Sequence, residues 1–132
     1  MTTLNGERFD GELLPLQGVD IMLDTIDADG TRLLVERGVR KAGTRASIHV
    51  HQYGGLTCVV EGTITDFAEG MEPMLFPTGT CQNMPPGKLM AVADLDAKEG
   101  ILTDTFILPR HADSILILEP GYPGGPAGRI EN

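Results

Sequence analysis

Glycine and proline interrupt this chain so often that long helices have little room in it. Its 132 residues include 17 Gly and 9 Pro, and between these turn-formers apolar residues recur at every second position. Strands are expected over residues 19–26, 32–40, 47–52, 56–60, 63–67, 73–76, 80–84, 89–95, 101–108 and 114–119. Asp27-Ala28-Asp29-Gly30, Glu61-Gly62, Pro77-Thr78-Gly79 and Glu99-Gly100 supply turns between them, and Gly38 marks a bulge. The continuous apolar run in 114–119 suggests burial on both faces. No segment carries a convincing amphipathic helical period. Short strands spaced by turns predict an antiparallel sandwich or barrel. One such domain is expected over residues 19–119, preceded by an extended arm at 1–18 and followed by a mobile Gly/Pro-rich tail at 120–132.

Charge and composition narrow the partners. A formal net charge of −9 argues against nucleic acid and against an anionic membrane, since both attract cationic surfaces. No apolar run approaches the ~20 residues of a membrane span, and the first residues lack the basic-then-apolar pattern of a secretory leader. The expected location is the cytoplasm. The two cysteines, Cys58 and Cys81, suggest no disulfide framework, so reduced, buried thiols are the expectation.

Chemistry concentrates at His49 and His51. Side chains two apart on a strand share a face, so two imidazoles stand together while Val50 takes the other side. That pair is half of a transition-metal site. Asp94 and Asp104 interrupt otherwise apolar strands. Asp104 shares a face with Leu102 and Phe106 and is the preferred interior acid, a general acid or base with a raised pKa. Asp94 shares a face with Met90 and Val92, so it lies inside, near one end, if Met90 looks into the barrel. Tyr53, in the turn after the histidines, offers a phenol to a substrate oxygen. Gln52 should face away, Glu61 is a turn residue and His111 is exposed.

Gly43, His49, His51 and Gly62 reproduce the spacing G-x5-H-x-H-x3–4-E-x6-G, with Gly55 standing at the glutamate. Gly79, Pro85 and Gly87 reproduce G-x5-P-x-G-x2-H-x3-N, with Met90 at the histidine and Asp94 at the asparagine. Over residues 31–108 the chain therefore resembles the cupins, small jelly-roll β-barrels. The resemblance implies an all-β antiparallel jelly roll with its site near the barrel axis. Of the usual metal ligands only His49 and His51 remain. Met90 would add a thioether suited to copper, or would be a barrel-lining hydrophobe filling the vacated place. Copper, zinc, nickel or iron are the ions such a site would take. The function implied is a small cupin enzyme acting on a small organic substrate by proton transfer (isomerase, lyase or cyclase type), with His49, His51, Asp104 and Tyr53 as catalytic residues. A copper- or iron-dependent oxygenase and a non-catalytic binding cupin are the alternatives. Cupins commonly dimerise, and residues 9–17 could pack on a second copy.

Overall fold

A computed structural model describes residues 3–120; most of the expected tail, 121–132, lies outside the described residues. Among the described residues twelve strands form, and no helix. In chain order they are β1 (Glu12–Leu13), β2 (Gln17–Ile26), β3 (Thr31–Arg40), β4 (Thr44–Arg45), β5 (His49–Val50), β6 (Gly55–Glu61), β7 (Thr63–Ala68), β8 (Met74–Pro77), β9 (Cys81–Met84), β10 (Met90–Ala93), β11 (Gly100–Pro109) and β12 (Leu116–Ile117). They make two sheets, one of five strands in the order β2-β3-β11-β6-β9, the other of seven. In the second, the path β1-β4-β10-β5-β12 is joined by β7 on β10 and β8 on β7. All pairings are antiparallel except β1 with β4. The all-β jelly roll expected from the sequence is what forms.

Alternation decides what the interior contains. Leu34 on β3, Val59 on β6, Ile64 and Ala68 on β7, Met84 on β9, Met90 and Val92 on β10, and Leu102, Phe106 and Leu108 on β11 form one buried cluster between the sheets. Each large side chain enclosed there contributes about 1.5–3 kcal/mol. The same faces also carry polar groups in register. Glu36 pairs with Asp104, Asp104 with Thr57, and Thr57 with Gln82, so a polar row crosses the inner face of the five-stranded sheet. Gly62, at φ +86°, turns β6 into β7 where an added Cβ would lie 2.8 Å from the Glu99 carbonyl oxygen.

Two local details depart from expectation. Residues 47–52 form only the short β5. The four steps from Arg45 to His49 oppose the three from Ala93 to Met90, so one extra residue bulges the chain. The cysteines are not free thiols. Cys58 and Cys81 are directly opposed on β6 and β9, their sulfurs are 2.06 Å apart, and they form a disulfide. The expectation of reduced, interior thiols is thereby corrected. Thr57 and Val59 take the inner face of β6, so alternation sends Cys58 outward and cross-strand pairing delivers Cys81 to it.

Residues 3–16 run against the barrel. Leu4 is buried, Phe9 stacks on Phe67 at 4.8 Å, and the Arg45 guanidinium lies 4.7 Å over the Phe9 ring.

Candidate functional site

The bulge before β5 leaves His49 and His51 pointing into the barrel, enclosed at 0% and 3% exposure. Their ring centres are 4.7 Å apart and edge-to-face, with the Nε2 atoms 3.1 Å from each other. Each Nδ1 lies 2.7 Å from a backbone carbonyl, Ser47 O for His49 and Ser114 O for His51. A carbonyl oxygen only accepts, so both Nδ1 atoms carry the proton and donate it. Both Nε2 atoms then present lone pairs to one another. Two neutral imidazoles hold two protons, both used at Nδ1, so the facing Nε2 lone pairs call for a third proton, another cation or the O–H donors of a water.

Burial resists the proton. It drives the His49 pKa down to about 3, and the neighbouring His51 pushes in the same direction. Burial also lowers His51. Arg40, itself 1% exposed, lines the same chamber and adds positive charge against His49. Its guanidinium donates to the Leu14 carbonyl. Asp104 faces the chamber with opposite charge. Burial raises its pKa, while the Thr57 hydroxyl (2.6 Å from Oδ1) and Arg40 work to lower it. Glu36 is raised by burial and then by Asp104 beside it.

The chamber is small. Leu16, Arg40, the two histidines, Thr57, Met84, Val92, Leu102 and Asp104 leave a cavity of about 10 Å³, close to the room one water or one ion occupies. The Phe106 ring stacks on His51 at 5.2 Å. Met84 closes one side of the chamber, its sulfur 3.3 Å from the Thr57 hydroxyl.

The donor set suits a transition metal in part. Nitrogens held about 2.0–2.1 Å from one ion at tetrahedral to octahedral angles lie roughly 2.9–3.4 Å apart, and the imidazole pair falls in that range. Ligating imidazoles characteristically donate their second N–H to a carbonyl or carboxylate, as both rings do here. Among the described residues, however, no group of three or more His, Cys, Asp and Glu side chains is gathered for one ion.

The other sequence candidates fall in different places. Met90 is paired with His49 across β5 and β10 and is buried, yet it does not line the histidine chamber. Met84 does, and its place there was not foreseen. Tyr53 is 47% exposed in the turn after His51 and does not line the chamber. Asp94 is fully enclosed at the barrel end, where Oδ1 accepts from the Asp96 N–H at 3.0 Å. Burial raises its pKa to about 6. Arg40, Thr57 and Met84 complete the chamber without a motif to announce them. Only the alternation Leu34, Glu36, Gly38, Arg40 along β3 hinted that a guanidinium would face inward.

Comparison with known proteins supports the fold and stops there. No family model matches the chain, and no curated protein matches it. Among solved structures, it is similar to an uncharacterised conserved protein with a double-stranded β-helix domain from Klebsiella pneumoniae (TM-score 0.61, 19% identity, 89% of each chain). It is also similar to a cupin-like protein from Thermotoga maritima (TM-score 0.59, 20% identity, covering 76% of this chain and 74% of that one). A DMSP lyase structure aligns at TM-score 0.59 and 17% identity over 66% of this chain and 44% of that chain. The chain has the cupin fold, a fold shared by enzymes and by proteins of no assigned activity.

Proposed function

We propose that this chain is a small-molecule cupin enzyme of proton-transfer type, whose His49 and His51 hold a divalent transition-metal ion. The observation behind this reading is the pair of Nε2 atoms 3.1 Å apart with both Nδ1 protons committed to carbonyls. Burial and Arg40 disfavour a proton there, and a metal ion is the remaining cation that satisfies both lone pairs. Copper, zinc and nickel all accept imidazole nitrogen, and bound metal would supply Lewis acidity to a substrate oxygen or to water.

The protein's own groups supply the rest. The carbonyls of Ser47 and Ser114 fix the orientation of the imidazoles. Asp104, with its pKa raised by burial, is the group able to take or return a proton beside them. The Thr57 hydroxyl orients that carboxyl. Met84 is the side chain shared between the chamber and a larger cavity, and a substrate would reach the histidines past it. Non-haem iron oxygenases use two imidazoles and a carboxylate on one ion; with two gathered ligands, proton transfer is favoured over oxygenase chemistry.

We further propose a homodimer formed along β2. Among the described residues this ten-residue strand pairs only with β3, and Val19, Ile21, Met22, Leu23 and Ile26 are all exposed on it. A long apolar edge favours antiparallel pairing with a second copy about a two-fold axis.

The test of the metal reading is elemental analysis of protein prepared without an affinity tag, followed by zinc titration of the chelated protein. Roughly one ion per chain is expected, and at least tenfold weaker binding in His49→Ala. Zinc binding unchanged by His49→Ala and by His51→Ala would remove the proposal.

A further inference from the structure

A second cavity lies where the two sheets part. β8 is an edge of the seven-stranded sheet and β9 an edge of the five-stranded one, and between them a cavity of about 240 Å³ is lined from both sides. Its walls are largely apolar and rich in methionine, with Met71, Met74, Phe76, Met84 and Met90 among them. An engineered cavity of ~150 Å³ already accepts benzene, so this one has room for a ring with a short substituent. Only Met84 is also part of the histidine chamber.

At one wall of this cavity sit Asp66 and Gln82. Gln82 is 5% exposed and lies beside the Asp66 carboxyl, where it works to lower that group's pKa. Two buried oxygens there, Asp66 Oδ1 and Gln82 Oε1, have no hydrogen-bond partner among the described residues. Both are acceptors, and leaving a buried acceptor unpaired is costly. Burial also raises the Asp66 pKa to about 6, against the pull of Gln82. The charged side chains lining the cavity besides Asp66 are Glu72 and Lys88, so carboxylates outnumber ammonium groups two to one.

From this geometry we propose that the seam cavity is a binding site for a small organic amine, an apolar body with a protonated nitrogen directed at Asp66 and Gln82. An ammonium group carries donors alone and satisfies both orphaned oxygens while neutralising a buried carboxylate. The methionine walls receive the apolar body, and thioethers pack well on ring edges. An anionic ligand would bring further acceptors to a site that already has two in excess. The site shares Met84 with the histidine chamber, but amine binding at Asp66 and Gln82 does not depend on whether a metal sits between the imidazoles.

Benzylamine is a suitable probe, with benzoate as the charge-reversed control. The readout is the set of methionine methyl signals in protein labelled at those methyls. Met71, Met74, Met84 and Met90 line the cavity, whereas Met22 lies exposed on β2 and serves as the internal reference. Saturable shifts of the cavity methyls with benzylamine, at least tenfold weaker binding of benzoate, and at least tenfold weaker binding of benzylamine by Asp66→Asn support the site. Should Asp66→Asn fail to fold, Gln82→Leu and the wild-type preference for amine over acid decide. Equal response to benzoate, shifts confined to Met22, or no saturable shift up to about 10 mM benzylamine (a threshold near −3 kcal/mol of binding) overturns it. His49→Ala should leave the benzylamine response in place, so failure of the metal reading leaves this test intact.

Discussion

Gly55 and Phe106 share one space. A Cβ built on Gly55 would lie 2.7 Å from the Cδ1 and Cε1 atoms of the Phe106 ring, and 2.9 Å from the Met84 methyl. Gly55 stands where the cupin pattern has a glutamate, and the volume that such a side chain would need is filled by the ring that stacks on His51. Losing the carboxylate and packing an aromatic ring are therefore two sides of one substitution.

Gly55→Ala should accordingly destabilise the fold by about 1–3 kcal/mol through overpacking, measured by denaturant unfolding. The double variant Gly55→Glu, Phe106→Ala frees the space and places a carboxylate near the imidazoles. Its zinc affinity, compared with that of Phe106→Ala alone, should rise at least tenfold. No gain over Phe106→Ala would show that the Gly55 position does not reach the imidazole pair.

The disulfide makes a direct chemical prediction. Denatured, unreduced protein should show no free thiol in a colorimetric thiol assay, and reduction should release both sulfurs. Closing a loop with a sequence separation of 23 corresponds to about 3 kcal/mol in the chain-entropy view. Replacing both residues in Cys58→Ser, Cys81→Ser should lower stability by an amount of that order. Because the bridge lies on the outer face, the histidine chamber should be unaffected, and zinc titration of that variant checks this.

Glu119 holds the histidine segment in place from beyond the last strand. Its carboxylate accepts from Arg45 at 2.7 and 2.8 Å, and Oε1 also accepts the Ile48 N–H at 2.9 Å, one residue before His49. Burial works to raise the Glu119 pKa, but the Arg45 and Ile48 hydrogen bonds and the Arg45 charge outweigh it and hold the group below its ordinary value. A carboxylate with a depressed folded pKa contributes stability that is present above about pH 4.5 and lost as pH falls below it. Glu119→Gln should cost about 1–3 kcal/mol at pH 7, since the half-buried Arg45 then loses its charged partner and keeps only neutral acceptors. The gap to wild type should narrow as pH falls below 4.5, and unfolding curves at pH 7 and pH 3.5 test the sign. A constant gap would mean that the ion pair is not what stabilises the segment.

Assembly along β2 is tested at Ile21 and Met22, 58% and 57% exposed. Light scattering should report a dimer for the wild type, and Ile21→Lys, Met22→Lys should give a folded monomer. A wild type that stays monomeric at high concentration removes the β2 interface.

Most of the architecture was legible because it rests on local spacing. A period of two places alternate residues on opposite faces, and glycine with proline marks where strands must end, so the jelly roll and the shared face of His49 and His51 follow from short-range chemistry. The histidine–histidine distance, the 10 Å³ chamber and the Phe106–His51 stacking depend on contacts between strands distant in the chain, which no local pattern encodes. Met90 illustrates the limit. Its place in the pattern marked it as the neighbour of the imidazoles, and it does pair with His49 in register, yet the chamber is walled by Met84 from another strand. The disulfide follows the same rule. Each cysteine looked unremarkable alone, and only the register of β6 against β9 brings the two sulfurs together. Sequence by itself set which residues face inward; which inward-facing groups meet was decided by the register and packing of strands distant in the chain.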